Sequence, residues 1–244
     1  MKTKGIFITG TDTGVGKTVV AAGIALHLRR SGTHVGVLKP ATSGAIVMGD
    51  TLVSEDAELL RWASACTASE QDIAPYVFRM PLAPSEAAAR EGRTIELEPI
   101  CEAFGRLSDR HDFMIVEGAG GLLVPLADNL LVADLASRLA LPLLIVARPN
   151  LGTVNHTLMT CECARARGIE VMGVIINGQP EKPDEAEEYA SRLISQYAAA
   201  PVTAVLTRCN ETDDKSIVEH LADQIGRQQL ATALRCMEAL YADP

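Results

Sequence analysis

The sequence predicts an α/β protein built on a doubly wound, mostly parallel sheet flanked by helices. Two observations predict it. Apolar runs of strand length recur along the chain without clean polar alternation, as expected of strands covered on both faces. Segments of helical length separate most of them, and that βα alternation is the signature of a parallel sheet. A third observation specifies the kind of fold. The apolar run Gly5–Thr9 leads into Gly10-Thr-Asp-Thr-Gly-Val-Gly-Lys-Thr18, and Val19–Leu28 then has the length and apolar content of a helix. A strand, a Gly-rich turn ending in Gly-Lys-Thr, and a helix form a phosphate-binding loop, which makes the fold P-loop NTPase-like.

In that loop, the backbone N–H groups of Gly14, Val15 and Gly16 would cradle phosphate oxygens, aided by the positive helix end. Lys17 would reach the β- and γ-phosphates, and the Thr18 hydroxyl would ligate Mg²⁺. The spacing is slightly unusual: Thr11 occupies the first-glycine slot, and Gly10 lies one position earlier.

The second strand, Val35–Leu38, is followed by Lys39-Pro40 and then Ser43-Gly44. A lysine at a strand end beside a phosphate loop can neutralise a transferring phosphoryl group. Ser54 opens a helix as its cap, and Asp56 falls in the first turn, where an acid also suits the helix dipole. The span Met80–Arg93, rich in Pro and Ala, reads as an excursion near the site. The strand Phe113–Val116 is expected to end at Glu117, a placement that suits a Mg²⁺ partner. Gly118, Gly120 and Gly121 follow and permit close backbone approach to a ligand.

A helix is expected over Leu131–Leu139 and a strand over Leu143–Ala147. Leu151-Gly152-Thr153-Val154-Asn155 then runs into the start of a helix, Val154–Arg167, where free N–H groups can accept a carboxylate. His156 is given no catalytic role. Asn177 is expected to end the strand Val171–Ile176; its amide could read a purine edge or simply form a turn. Pro183–Tyr197 reads as a helix, Val202–Leu206 as the last strand and Gln228–Tyr241 as a final helix.

The 244 residues are 48% apolar, enough for one core, and 1–244 reads as a single domain. A net charge of −9 argues against a broad nucleic-acid footprint, and no apolar run is long enough to span a membrane. Six dispersed cysteines lack paired zinc spacing and read as reduced thiols. No signal peptide precedes the loop, so a cytoplasmic location is expected.

The ordered set of 10–18, Lys39-Pro with Ser43-Gly, Glu55-Asp56-Ala, Glu117-Gly-Ala-Gly-Gly and Leu151-Gly-Thr-Val-Asn155-His resembles the dethiobiotin synthetases; Asn177 and Glu188-Tyr189 match further. The resemblance implies an ATP- and Mg²⁺-dependent ring closure in biotin biosynthesis. One amine of 7,8-diaminononanoate takes up CO₂ as a carbamate. ATP phosphorylates the carbamate, and the second amine displaces phosphate to close a cyclic urea. By the same resemblance, Lys17 and Lys39 supply positive charge, and Thr13 and Ser43 position carbamate and phosphate. Thr18, Asp56 and Glu117 hold the metal. The substrate carboxylate meets Gly152–Asn155 of a second subunit, near Tyr189, so a homodimer is implied.

The chain departs from that family at three places. Gly14 stands where many members carry Glu, Ser85 where His is frequent, and Ala204–Arg208 lacks a Pro common in the base-binding loop. Two other readings stay open: a partition- or regulator-type ATPase acting as a nucleotide-switched binding protein, and a synthetase domain detached from an amidotransferase. The first usually carries an extra lysine where this chain has Thr11. The second is disfavoured because Pro244 leaves no room for a glutaminase.

Overall fold

The computed structural model describes residues 4–49 and 51–240, with side chains through Leu234. Cys236 and the Tyr241 end of the last expected helix fall outside the described side chains and residues. Six strands form the central sheet: β1 (Gly5–Gly10), β2 (Val35–Leu38), β3 (Phe113–Gly121), β4 (Leu143–Ala147), β5 (Val171–Gln179) and β6 (Val202–Thr207). Their order is β6-β5-β4-β1-β3-β2, and all five pairings are parallel. β1 is central, with β3 on one side and β4 on the other. The chain therefore reverses its direction of winding beside β1, and ligands bind beyond the carboxyl ends of strands at such a reversal.

The main helices are α1 (Lys17–Arg30), α2 (Glu55–Ser64), α3 (Leu97–Ser108), α4 (Val132–Leu139), α5 (Thr153–Ala166), α6 (Glu185–Tyr197), α7 (Asp214–Ile225) and α8 (Gln229–Leu240). Shorter pieces, including a helix at Pro84–Arg90 and an antiparallel pair at Ile46–Met48 and Thr51–Val53, lie outside this frame. Every residue of β1, β2 and β4 is buried, which is why those runs show no alternation. Helix α1 packs between α2 and α7, where Gly23 lets it approach the Leu221–Ala222 backbone closely.

Boundaries at the ligand edge of the sheet depart furthest from the sequence expectation. β3 runs on from Val116 to Gly121, β5 from Ile176 to Gln179, and α1 begins at Lys17 rather than Val19. Polar and glycine residues at the ligand edge of the sheet still pair with their neighbours. Between Ile8↔Glu117 and Gly10↔Gly121 the register slips, and β3 absorbs extra residues with Gly120 at φ 62°. Glu117 is thus inside a strand, not at its end. The phosphate loop turns straight into α1 because Gly16 takes φ 86°, where L side chains are strained.

Candidate active site

Residues from the carboxyl ends of β1, β2 and β3 meet in a cavity of about 500 Å³. Thr13, Gly14, Gly16, Lys17, Thr18, Lys39, Ser43, Asp56, Glu117 and Gly120 all line it. Ser54 places Asp56 by capping α2: its hydroxyl accepts the Ala57 N–H at 3.2 Å.

Glu117 is the centre of this cluster. It is 1% exposed, and its Oε1 accepts from the Thr18 hydroxyl at 2.9 Å and from Lys39 Nζ at 2.6 Å. Lys39 Nζ also lies 2.7 Å from Asp56 Oδ2. Burial pushes the Glu117 carboxyl up from its ordinary range against the pull of Lys39. Burial works to lower the Lys39 ammonium, but the charges of Glu117 and then Asp56 outweigh it and hold it raised. Burial lowers Lys17, whose Nζ donates back to the Asp12 carbonyl at 3.3 Å.

The second carboxylate oxygen, Glu117 Oε2, is buried with no hydrogen-bond partner. A buried unpaired carboxylate oxygen is costly, so it marks a place where a cation or its water fits. Thr18, Asp56 and Glu117 offer the hard oxygen donors that Mg²⁺ takes. Among the described residues no three His, Cys, Asp or Glu side chains are grouped so that they alone could hold a metal ion. A metal here would therefore draw its remaining ligands from phosphate oxygens and water.

A second cavity of about 620 Å³ shares Gly14, Gly16 and Val19 with the first and adds Val15, Arg148, Asn177, Arg208 and Glu211. Asn177 donates through Nδ2 to the Val15 carbonyl at 3.0 Å, so one amide hydrogen is committed to the phosphate loop. A third cavity of about 390 Å³ is more apolar, with Leu122, Leu123, Val124 and Met159 beside Asp12, Thr13, Gly121 and His156. Gly118 lines none of the three. A Cβ there would meet the Phe7 ring at 3.0 Å and Val132 at 3.1 Å, so its missing side chain serves packing.

Gly152, Thr153, Val154 and Asn155 open α5 as expected but line none of these cavities. Not all their N–H groups are free: Thr153 N–H donates to the Asn150 carbonyl at 3.1 Å, because Gly152 at φ 96° closes a turn there. Tyr189 is 48% exposed on α6, with the Arg192 guanidinium over its ring.

Several lining residues escaped the sequence reading. Arg148 pairs with Asp12 at 2.6 Å, and Asp12 in turn accepts the Thr13 N–H at 2.7 Å. The signal was present: Arg148-Pro149 follows β4 as Lys39-Pro40 follows β2. Asp214, at the start of α7, also lines the first cavity. Its helix was readable from Asp213, whose side chain accepts the Ser216 N–H.

A family model described as an AAA domain matches residues 4–216. The ATP-dependent dethiobiotin synthetase BioD of Bacillus subtilis is 39% identical over 222 residues, covering 91% of this chain and 95% of the relative. That of Anaeromyxobacter dehalogenans is 46% identical over 192 residues, covering 77% and 84%. Among solved structures, a ParA family ATPase from Chlorobium tepidum aligns with TM-score 0.56 at 15% identity over 97% of this chain and 99% of its own. The MinC:MinD cell division complex of Aquifex aeolicus aligns at TM-score 0.54 and 14% identity, covering 99% and 97%. These two show a shared fold alone. The identities and coverage of the sequence relatives go further: the chain belongs to the dethiobiotin synthetase family.

Proposed function

We infer that this chain catalyses ATP-dependent dethiobiotin synthesis in biotin biosynthesis, a cyclo-ligase reaction with ATP as co-substrate. The observation that carries the reading is the single cavity that joins Lys17 and Thr18 of the phosphate loop to Lys39, Ser43, Asp56 and Glu117.

The division of labour follows from chemistry. Uptake of CO₂ by one amine gives a carbamate and releases a proton. A carbamate is a poor electrophile until one oxygen becomes a good leaving group. Transfer of the γ-phosphoryl group to that oxygen makes the mixed anhydride and ADP. The second amine then attacks the carbonyl carbon, loses a proton and expels phosphate. None of these steps needs a covalent side-chain nucleophile; positioning and charge neutralisation suffice. Lys17 and Lys39 neutralise the phosphoryl and carbamate oxygens, while Thr13 and Ser43 orient them. Thr18, Asp56 and Glu117 hold Mg²⁺, which supplies positive charge to the phosphates when bound. The nucleotide's phosphates lie along Gly14–Thr18 beside Gly120, with Gly121 at the adjoining third cavity, and its base falls in the second cavity beside Asn177. The apolar third cavity suits the alkyl chain of the diamine.

The substrate carboxylate is assigned to the α5 start of a partner subunit in a homodimer. Support comes from Gly152–Asn155 lining none of the three cavities described and from exposed Leu151 and Tyr189 near the starts of α5 and α6. The partners are thus the diamine, CO₂ or bicarbonate, and ATP; no nucleic acid or membrane partner is invoked, and a cytoplasmic setting fits. No helix among the described residues is long and apolar enough to cross a membrane.

Product analysis with 7,8-diaminononanoate, bicarbonate and Mg-ATP tests the reading. The expected outcome is a cyclic urea formed with one phosphate per product. ATP hydrolysis without ring closure would overturn it in favour of a nucleotide-switched binding protein.

A further inference from the structure

We propose that Lys39 is the resting counter-ion of the site reserved for a divalent cation. The cation gains that site only when a nucleotide's phosphates draw the ammonium away. The inference rests on the reading of Asp56 and Glu117 as metal partners.

The geometry is specific. Lys39 Nζ lies 2.6 Å from Glu117 Oε1 and 2.7 Å from Asp56 Oδ2. One buried ammonium therefore bridges both acids and offsets one of their two negative charges, from the place a divalent cation would take. Its side chain is only 5% exposed, so water does little to screen it. A dication placed between the same two carboxylates would face this fixed positive charge at close range and in low dielectric. The carboxylates cannot serve both cations at full strength.

Two further features mark the arrangement as a resting state. Thr18 donates its hydroxyl to Glu117 Oε1 at 2.9 Å. Lys17 is folded back onto the Asp12 carbonyl of its own loop. Lys17, Thr18 and Lys39 thus each have an internal partner, while Glu117 Oε2 is left without one. Phosphate oxygens in the cavity would give both lysines stronger, charged partners. Once Lys39 leaves, Asp56 and Glu117 regain their full negative charge, with the Glu117 carboxylate buried. The nucleotide supplies the remaining oxygens for the metal at the same moment. The acids therefore do not capture free divalent cations from solution, and metal and nucleotide bind as a coupled pair.

Mn²⁺ binding followed by electron paramagnetic resonance, without nucleotide, tests this directly. Wild-type protein is expected to bind Mn²⁺ weakly. Lys39→Met, with the two acids unblocked, is expected to bind at least tenfold more tightly, and the gain should vanish in Lys39→Met/Glu117→Gln. Mn²⁺ alone should raise the Tm of Lys39→Met but not of wild type. If Lys39→Met does not fold, Lys39→Gln replaces it, since its amide still donates to the carboxylates while carrying no charge. Equal Mn²⁺ affinity of wild type and the folded variant would overturn the proposal. A separate arm measures Mn²⁺ with a non-hydrolysable ATP analogue in wild type and Glu117→Gln. If both hold Mn²⁺ equally well there, the assignment of Glu117 to the metal fails, and the counter-ion role falls with it. If Glu117→Gln loses Mn²⁺ in that arm while Lys39→Met gains none without nucleotide, the metal site stands and only the counter-ion role is wrong.

Discussion

At the scale of single residues, the consequential ones are those whose surroundings leave them incompletely satisfied. Lys17 reaches only a carbonyl at 3.3 Å, and burial lowers its pKa. Its charge gains most when phosphates arrive, so Lys17→Ala should cut turnover by about a hundredfold or more while the circular dichroism spectrum stays unchanged. Near-normal turnover in the folded variant would refute the role. Glu117→Gln keeps an oxygen for the Thr18 and Lys39 donors, and Asp56 still pairs the ammonium, so the fold should survive. Turnover across a Mg²⁺ titration should fall and shift to higher metal concentration, since an amide lacks the charge Mg²⁺ prefers. An unchanged titration would leave Glu117 a structural residue of β3. Asn177 is different. With one amide hydrogen on the Val15 carbonyl, it braces the phosphate loop, which is blind to the base. Asn177→Ala should raise KM for ATP and GTP alike, by about fivefold for a hydrogen bond worth ~1 kcal/mol. A loss confined to ATP would show that the amide reads the base after all. The Arg208 and Glu211 side chains beside it are further candidates for base contacts, so selectivity does not rest on Asn177 alone.

Among the elements, the sequence disclosed most where periodicity or a loop motif was strong. All six core strands, α1, α5 and the cap at Ser54 were legible, because buried runs and Gly-Lys-Thr leave few alternatives. Strand ends were not. Glu117, Gly118 and Asn177 look like loop residues, yet parallel pairing continues through them, a tertiary effect that local propensity does not carry. The partners of Asp12 and Glu117 were hidden for the same reason, since Arg148 and Lys39 approach from strands far apart in sequence. Gly118 gives the clearest test at this scale. The sequence places it among ligand-facing glycines, whereas the structure packs its α-carbon against Phe7 and Val132. Gly118→Val should overpack that contact, costing about 1–3 kcal/mol, or a Tm drop of roughly 2–10 °C for a chain of this size. Nucleotide KM should stay near wild type at temperatures where the variant is folded. A large rise in KM with an unchanged Tm would return Gly118 to the ligand-facing set.

At the level of the whole molecule, one edge of the sheet collects the chemistry, and the proposed homodimer would add the partner's α5 start to it. Leu151 is 88% exposed where the chain enters α5, and Gly152–Asn155 line none of the three cavities described. A two-fold dimer that buried this surface would bring each α5 start toward the other chain's apolar cavity. Complementation can test that arrangement. One variant, Lys17→Ala, damages the phosphate loop. The other should place negative charge at the α5 start without straining it. Gly152 is unsuitable, because its φ of 96° disfavours any side chain. Asn155→Asp is nearly isosteric, is exposed in the first turn and suits the helix dipole, so the helix should persist. Its added charge should repel the substrate carboxylate and raise the diamine KM with little change in the KM for ATP. At subsaturating diamine, each homodimer should be nearly inactive. Mixed and allowed to exchange, half the dimers are mixed, and each carries one intact composite site of two. Activity should recover to about a quarter of wild type, as two-fold symmetry requires. Recovery would not occur if each chain built its site alone, because every site would then carry one lesion. No recovery despite demonstrated subunit exchange would assign the carboxylate contact to the same chain as the phosphate loop.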